Sequence, residues 1–302
     1  MNGKTMLKFG LTAGVTFIMS VSCGQLKRLN KVPPYAISLV PSVTEIIYAM
    51  GAERHLLAVV EQCDYPPEAK SLPKVGSMVN PSKELILSLK PDVVFVASPT
   101  QELIKKELED LGIKCVDISP KSIIDIIESI HVIGKALHEE EKARRLADSL
   151  KMELFTLSAK RTSLTGRMLR VYIEIQPNPI VTVGRNSFID NYILLAGGKN
   201  VFSYIDLAYP TVSPEEVVHQ APDVIILAYK PADIASVRNR LGWKDIPAVK
   251  HNCIFGPDDI DIDVLVRPGP RFVQAITELR KLLLEAEKRL KSSTDSAQTV
   301  RK

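Results

Sequence analysis

Residues 81–96 of this chain read PSKELILSLKPDVVFV, and residues 212–227 read VSPEEVVHQAPDVIIL. Ser82 aligns with Ser213, Glu84 with Glu215, Pro91 with Pro222 and Asp92 with Asp223, at one offset and without a gap (215 − 84 = 131). An ungapped repeat between the two halves requires each half to build the same local unit. In the second copy Ser213 can cap a helix, Pro214 suits its first position, and Glu216 completes an S-x-x-E capping box. Pro222 stops the helix, and the run VIIL reads as a strand buried on both faces. The first copy repeats this with Ser82 as cap and VVFVA as strand. A short helix feeding a buried strand is the grammar of a parallel sheet, so the expected fold is α/β, in two similar lobes with parallel-rich sheets.

Glu84 and Glu215 each sit two residues past the capping serine. An acid in the first turn complements the helix dipole by a few tenths of a kcal/mol, which explains either one alone. The same acid at the same place in both halves calls for more. Glu216 already closes its capping box, so Glu215 is free to point outward.

The rest of the chain follows the same α/β pattern. YAISLVPSVTEIIYAMG reads as strand, turn and helix, with Ser42 and Glu45 as another capping box and Gly51 as the stop. Further units lead through VVFVA and KCVDIS to a helix near 122–137. The other half opens with MLRVYIEI, continues with NSFIDNYILLAGG as a helix capped by Ser187, and ends in a helix from about 271 to 290. No Gly or Pro occurs from Glu139 to Thr165, and Ala143, Leu146, Leu150, Leu154 and Leu157 fall at helical spacing. That predicts one connecting helix of about 25 residues, ~37 Å long. The expected organisation is a lobe over 33–137, the connecting helix over 138–165 and a second lobe over 166–290. A rigid connector restricts hinge bending, so a cleft between the lobes would open only slightly.

The ends of the chain differ from its middle. Lys4 and Lys8 precede an apolar run from Phe9 to Val21, too short to span a bilayer comfortably and suited to a secretory signal. The run ends in SVSC followed by Gly24, which resembles the bacterial lipoprotein signal, although Ser20 stands where that pattern prefers leucine. The resemblance makes residues 1–23 a signal segment and puts lipid on Cys23, with enough acyl chains for stable anchoring outside the cytoplasm. Residues 291–302 are polar and are expected to be disordered. Cys63, Cys115 and Cys253 remain; an odd number cannot all pair, and their spacing matches no zinc or redox motif, so buried thiols are expected.

Several function classes lack support. A net charge of +4, with basic residues clustered at the two ends, is too small to suggest nucleic acid. The five histidines (His55, His131, His138, His219 and His251) are scattered, whereas a zinc or manganese receptor would cluster them. Asp259, Asp261 and Asp263 alternate like the start of a calcium loop but lack its glycine and distal glutamate. No G-x-S-x-G, Walker loop or G-x-G-x-x-G supports a two-lobed enzyme.

ISLVPSVTEIIYAMG, CDYPPEA, NPSKELILSLKPDVV, NPIVTVGRNSFIDNYILLAGGKNVF, YPTVSPEEVV and RPGPRFVQAI occur in that order. With the two lobes, the connecting helix and the lipoprotein signal, they resemble the substrate-binding proteins of bacterial ABC importers for cobalamin, haem and ferric siderophores. The cobalamin-binding members look most similar, over about residues 33–290. The resemblance implies a monomer with no resident cofactor and a corrinoid as transported ligand. It implies that Glu84 and Glu215 dock onto arginines of a two-fold permease, one per subunit. It also implies a cleft at the carboxyl ends of the strands, lined by Pro41, Ser42, Tyr65, Met78, Tyr209, Asp263 and Arg267. Met78, Ile175, Val264 and Leu265 stand where cobalamin binders carry tryptophan or phenylalanine, and Trp243 lies elsewhere. The alternative cargoes are haem, with Tyr65 or Tyr209 as axial ligand, and a ferric siderophore, with Arg185, Arg267 and Arg271 as candidates.

Overall fold

A computed structural model describes residues 31–159 and 167–299. Cys23 and the signal segment around it lie outside the described residues. The first lobe comprises β1 (Ala36–Ser38), α1 (Pro41–Ala49), β2 (Leu56–Val59), α2 (Lys83–Leu89), β3 (Val93–Val96), α3 (Glu102–Asp110), β4 (Cys115–Asp117) and α4 (Ile123–Ala136). Its sheet is parallel throughout, in the order β2-β1-β3-β4. Then comes α5 (Glu140–Ala159). The second lobe comprises β5 (Leu169–Pro177), β6 (Ile180–Thr182), α6 (Phe188–Ala196), β7 (Gly198–Asn200), α7 (Pro214–Gln220), β8 (Val224–Leu227), α8 (Ile234–Arg238), α9 (Pro247–Lys250), β9 (Ile254–Phe255), α10 (Ile262–Val266) and α11 (Phe272–Thr299). Its sheet runs β6-β5-β8-β9 with β7 also on β5, and β6 is its antiparallel member.

The sequence repeat is a structural repeat. VVFV and VIIL are buried from end to end, as strands covered on both faces must be. Ser82 caps α2 by accepting the Leu85 N–H, and Ser213 with Glu216 forms the full capping box of α7. Both helices end on a left-handed residue, Lys90 (φ 49°) and Ala221 (φ 43°), each followed by the proline that forbids another turn.

Among the described residues the connecting helix runs for 20 residues, about 30 Å, from Glu140 to Ala159. His138 takes φ 57° and turns the chain between α4 and α5, so the helix starts at Glu140; residues 160–166 lie outside the described set. Its apolar face is where the spacing put it: Ala143, Ala147 and Leu150 are buried, with Leu146, Leu154 and Leu157 packed beside them. A side chain at Gly134 on α4 would overlap the Ala143 side chain, so this helix crossing needs glycine.

Two expectations fail. The helix starting near Pro41 has no Ser42–Glu45 capping box: Pro41 takes the first helical position, Val40 becomes the cap, and Ser42 lies inside the turn. The last helix also continues through Thr299 into the segment read as disordered, because nothing after Pro270 breaks it. Cys63, Cys115 and Cys253 are free; Cys63 and Cys253 are buried and Cys115 is half-buried.

Candidate functional site

The loops leaving the carboxyl ends of the strands meet between the lobes, where ligands of open parallel sheets bind. From the first lobe come α1, which follows β1, and the Asp64–Tyr65 loop, which follows β2. From the second come α10 and the turn into α11, which follow β9.

Glu45 is the centre of this meeting. It is 1% exposed and lies on α1 of the first lobe, yet its partners belong to the second. Arg271 Nε donates to Glu45 Oε2 at 2.8 Å and Arg271 Nη2 to Oε1 at 2.7 Å. Arg267 Nη1 donates to Glu45 Oε1 at 3.2 Å and to Asp64 Oδ1 at 2.8 Å. Arg267 Nη2 donates to Asp263 Oδ1 at 2.9 Å, and Lys230 lies 3.6 Å from the other oxygen of Asp263. Burial alone would lower both arginine pKa values, but the facing carboxylates outweigh it and raise them. Asp64 shows the converse: burial would raise it, and Arg267 holds it below its ordinary value.

The residues expected to line the cleft occupy different settings. Pro41 and Ser42 are buried at the lobe junction, and Ser42 Oγ has no hydrogen-bond partner. Tyr65 is 43% exposed, but one ring face is covered by the Arg271 guanidinium at 3.9 Å. Met78 is half-buried; its N–H donates to Gln62 Oε1 and its carbonyl accepts from Gln101 Nε2, both at 2.8 Å. Tyr209 is 44% exposed in the loop after β7. Asp263 and Arg267 belong to the charge cluster. Val264 and Leu265 are fully enclosed in α10, so these two positions contribute to the core and not to a cleft wall. Asp261 caps α10 by accepting the N–H groups of Asp263 and Val264, which uses one acid of the alternating run as a helix cap.

Beside the cluster, a pocket of about 410 Å³ opens between α1, α5 and the start of α11. Tyr48, Tyr65, Leu146, Leu150 and Glu153 line it. Glu84 and Glu215 are exposed in the first turns of α2 and α7. Hydrogen bonds from its own N–H and from Ser82 hold the Glu84 carboxyl below its ordinary value.

Sequence reasoning missed Glu45 as a site residue and gave Asp64 no role. The signal for Glu45 was legible: it is the one charge in PSVTEIIYA, flanked by Val43, Ile46 and Ile47, all of which are buried. A carboxylate in such a face needs a partner.

The sequence profile of the periplasmic binding protein family matches residues 37–259. An uncharacterised ABC transporter substrate-binding lipoprotein, YvrC of Bacillus subtilis, is 33% identical over 83% of this chain and 80% of its own. The periplasmic vitamin B12-binding protein of Vibrio cholerae superposes with a TM-score of 0.70 at 29% identity, over 84% of this chain and 98% of that one. The periplasmic haem-binding protein RhuT of Roseiflexus does so with a TM-score of 0.73 at 27% identity, over 83% and 98%.

Proposed function

The chain belongs to the periplasmic binding protein family, as a substrate-binding protein of ABC transporters, and on that footing we propose that its cargo is a corrinoid. Members of this family are transport components rather than enzymes. The observation that carries the corrinoid reading is the charge state of the cleft edge. Arg267 and Arg271, which an anionic cargo would need, are already held by Glu45, with Asp64, Asp261 and Asp263 within ion-pair distance of them. A corrin ring fringed with neutral carboxamides asks for donors and acceptors, which such a mixed edge supplies. Haem brings propionate carboxylates, and drawing an arginine off to pair them would take one of its two partners from the buried Glu45. Tyr209 and Met78 add apolar area. The similarity to the vitamin B12-binding protein supports this reading. Haem or a ferric siderophore is the second reading, favoured by the similarity to RhuT and by the half-exposed Tyr65 and Tyr209.

Delivery follows from the repeat: Glu84 and Glu215 dock onto the permease, one per lobe. Cys23 carries the lipid that anchors the protein outside the cytoplasm; among the described residues no helix is long and apolar enough to cross a membrane. Replacing Cys23 with Ala is expected to release the protein into the soluble fraction, and persistence in the membrane fraction would make the apolar run the anchor. The ligand is tested by calorimetry against cobalamin, cobinamide and haem. Heat from the corrinoids is expected; tight haem binding without corrinoid heat would replace the assignment.

A further inference from the structure

We infer that Glu45, with Arg271 and Arg267, is a charge clasp that holds the lobes together in the ligand-free protein, and that its opening governs ligand access; the access step rests on the receptor function proposed above. Glu45 is not needed where it stands. Helix α1 is started by Pro41 and capped without it. The other lobe provides the comparison. Asp190 lies three residues after Ser187, as Glu45 does after Ser42, but it accepts from Asn200 Nδ2 at 2.8 Å inside its own lobe. Glu45 instead spans a separation of more than 200 residues, and each of its oxygens receives an arginine N–H.

The backbone is shaped for this contact. A Cβ at Gly269, between the two arginines, would sit 3.4 Å from both Glu45 Oε2 and Ser42 Cβ, so the second lobe lies directly against α1 there. The Tyr65 ring of the first lobe packs under the Arg271 guanidinium, with Cζ 3.9 Å from the ring centroid, so a second first-lobe residue meets the same arginine.

An opposing cost lies at the same junction. Ser42 Oγ and Tyr192 Oη are buried without a hydrogen-bond partner, and Tyr192 lies within electrostatic reach of Glu45 and Tyr209. An unsatisfied buried hydroxyl destabilises the state that buries it. Closure is thus favoured by the ion pairs and opposed by two hydroxyls that separation would expose to water or ligand.

The test is amide hydrogen exchange on the ligand-free protein, so its outcome does not depend on the identity of the cargo. Glu45→Gln keeps the shape and removes the charge. It is expected to speed exchange at Thr44, Gly269 and Phe272 roughly tenfold, as expected for a local opening, while Val94 and Ile225 in the two sheets stay unchanged. Tyr192→Phe removes an unpaired hydroxyl and is expected to slow exchange at the same junction amides. A double Glu45→Gln/Arg271→Gln variant is expected to open no more than Glu45→Gln alone. Equal acceleration in the sheets, no change at the junction, or acceleration by Tyr192→Phe would overturn the clasp. If Glu45→Gln does not fold, Tyr192→Phe and the milder Arg271→Lys decide, the latter being expected to speed junction exchange. Stopped-flow binding with cyanocobalamin as probe then reads access: association is expected to be faster in Glu45→Gln. An unchanged association rate would remove the gating role. Wild-type protein that binds no cyanocobalamin would sink the corrinoid reading while the exchange data still judge the clasp.

Discussion

Asp92 and Asp223, 131 residues apart (223 − 92 = 131), make the same pair of backbone bonds in the two lobes. Asp92 Oδ2 accepts the Tyr35 N–H at 2.6 Å, and the Asp92 N–H donates to the Tyr35 carbonyl at 2.7 Å. Asp223 Oδ2 accepts the Arg170 N–H at 2.8 Å, and the Asp223 N–H donates to the Arg170 carbonyl at 2.8 Å. Each aspartate thus fastens the strand it precedes to the start of the neighbouring one. The repeated Pro-Asp is a structural staple, whereas the repeated glutamate is not used in this way.

The two staples should differ in strength. Asp92 is exposed, whereas Asp223 is buried and takes two bonds from Arg167, both at 2.8 Å. Burial would raise the Asp223 carboxyl, and Arg167 and Arg170 hold it below its ordinary value. Asp92→Ala is expected to cost about 1 kcal/mol, and Asp223→Ala about 2–4 kcal/mol because the arginines lose their partner. Urea unfolding measures both; equal losses would mean the arginines add nothing.

Glu139, between α4 and α5, makes stability depend on pH. Burial would raise its carboxyl, but bonds from His55, Arg54 and Lys142 bring it down from 4.5 to about 2. A carboxyl depressed in the folded state stabilises the protein above its unfolded pKa, and that contribution is lost as pH falls from about 5 towards 2. The expected loss is about 3 kcal/mol at most. Glu139→Gln is expected to be less stable at pH 7 and to show a shallower fall over that window. A parallel acid profile would exclude this group as a cause.

Gly184 governs where Tyr209 sits. A side chain there would overlap the Leu207 carbonyl and come within 3.0 Å of the Ile205 carbonyl, while the Gly184 N–H bonds Ala208 at 2.9 Å. Gly184→Ala therefore displaces the loop that carries Tyr209. Both Gly184→Ala and Tyr209→Ala are expected to weaken cyanocobalamin binding by roughly 1–3 kcal/mol in calorimetry. Unchanged affinity in both would place the cleft elsewhere.

The lobes, the repeat and the Ser213 capping box were legible because short-range chemistry decides them: a cap, a proline and a β-branched run each act within a few residues. The same reasoning misread Ser42 and Glu45, because Pro41 shifts the helix start and the partners of Glu45 lie 222 and 226 residues away. Arg267, Arg271, Tyr65 and Asp263 were all named from sequence, but their mutual engagement was not, since only the folded chain brings them together. Val264 and Leu265 were read against aromatic positions of the cobalamin binders, and α10 buries both.

The repeated glutamates provide the test of delivery. Glu84 and Glu215 sit in the first turns of equivalent seven-residue helices, exposed, and no ion pair engages either among the described residues. The Asp92–Asp223 staple accounts for why the helices recur but not for why each carries an outward acid. Helix dipoles would gain from any acid there, by a few tenths of a kcal/mol. Docking onto a two-fold permease requires the same charge from each lobe. Glu84→Ala and Glu215→Ala are expected to leave cyanocobalamin affinity and folding stability almost unchanged. Each should weaken binding to the permease by about 2–5 kcal/mol if its arginine partner becomes buried, or by less than about 1 kcal/mol if the contact stays wet. In the wet case the loss would show in association rate and salt dependence. Losses of similar size at the two positions fit two-fold docking, and a large loss at only one would mean a single-lobe contact. A double variant that docks and transports like the unaltered protein would leave both acids with the dipole alone.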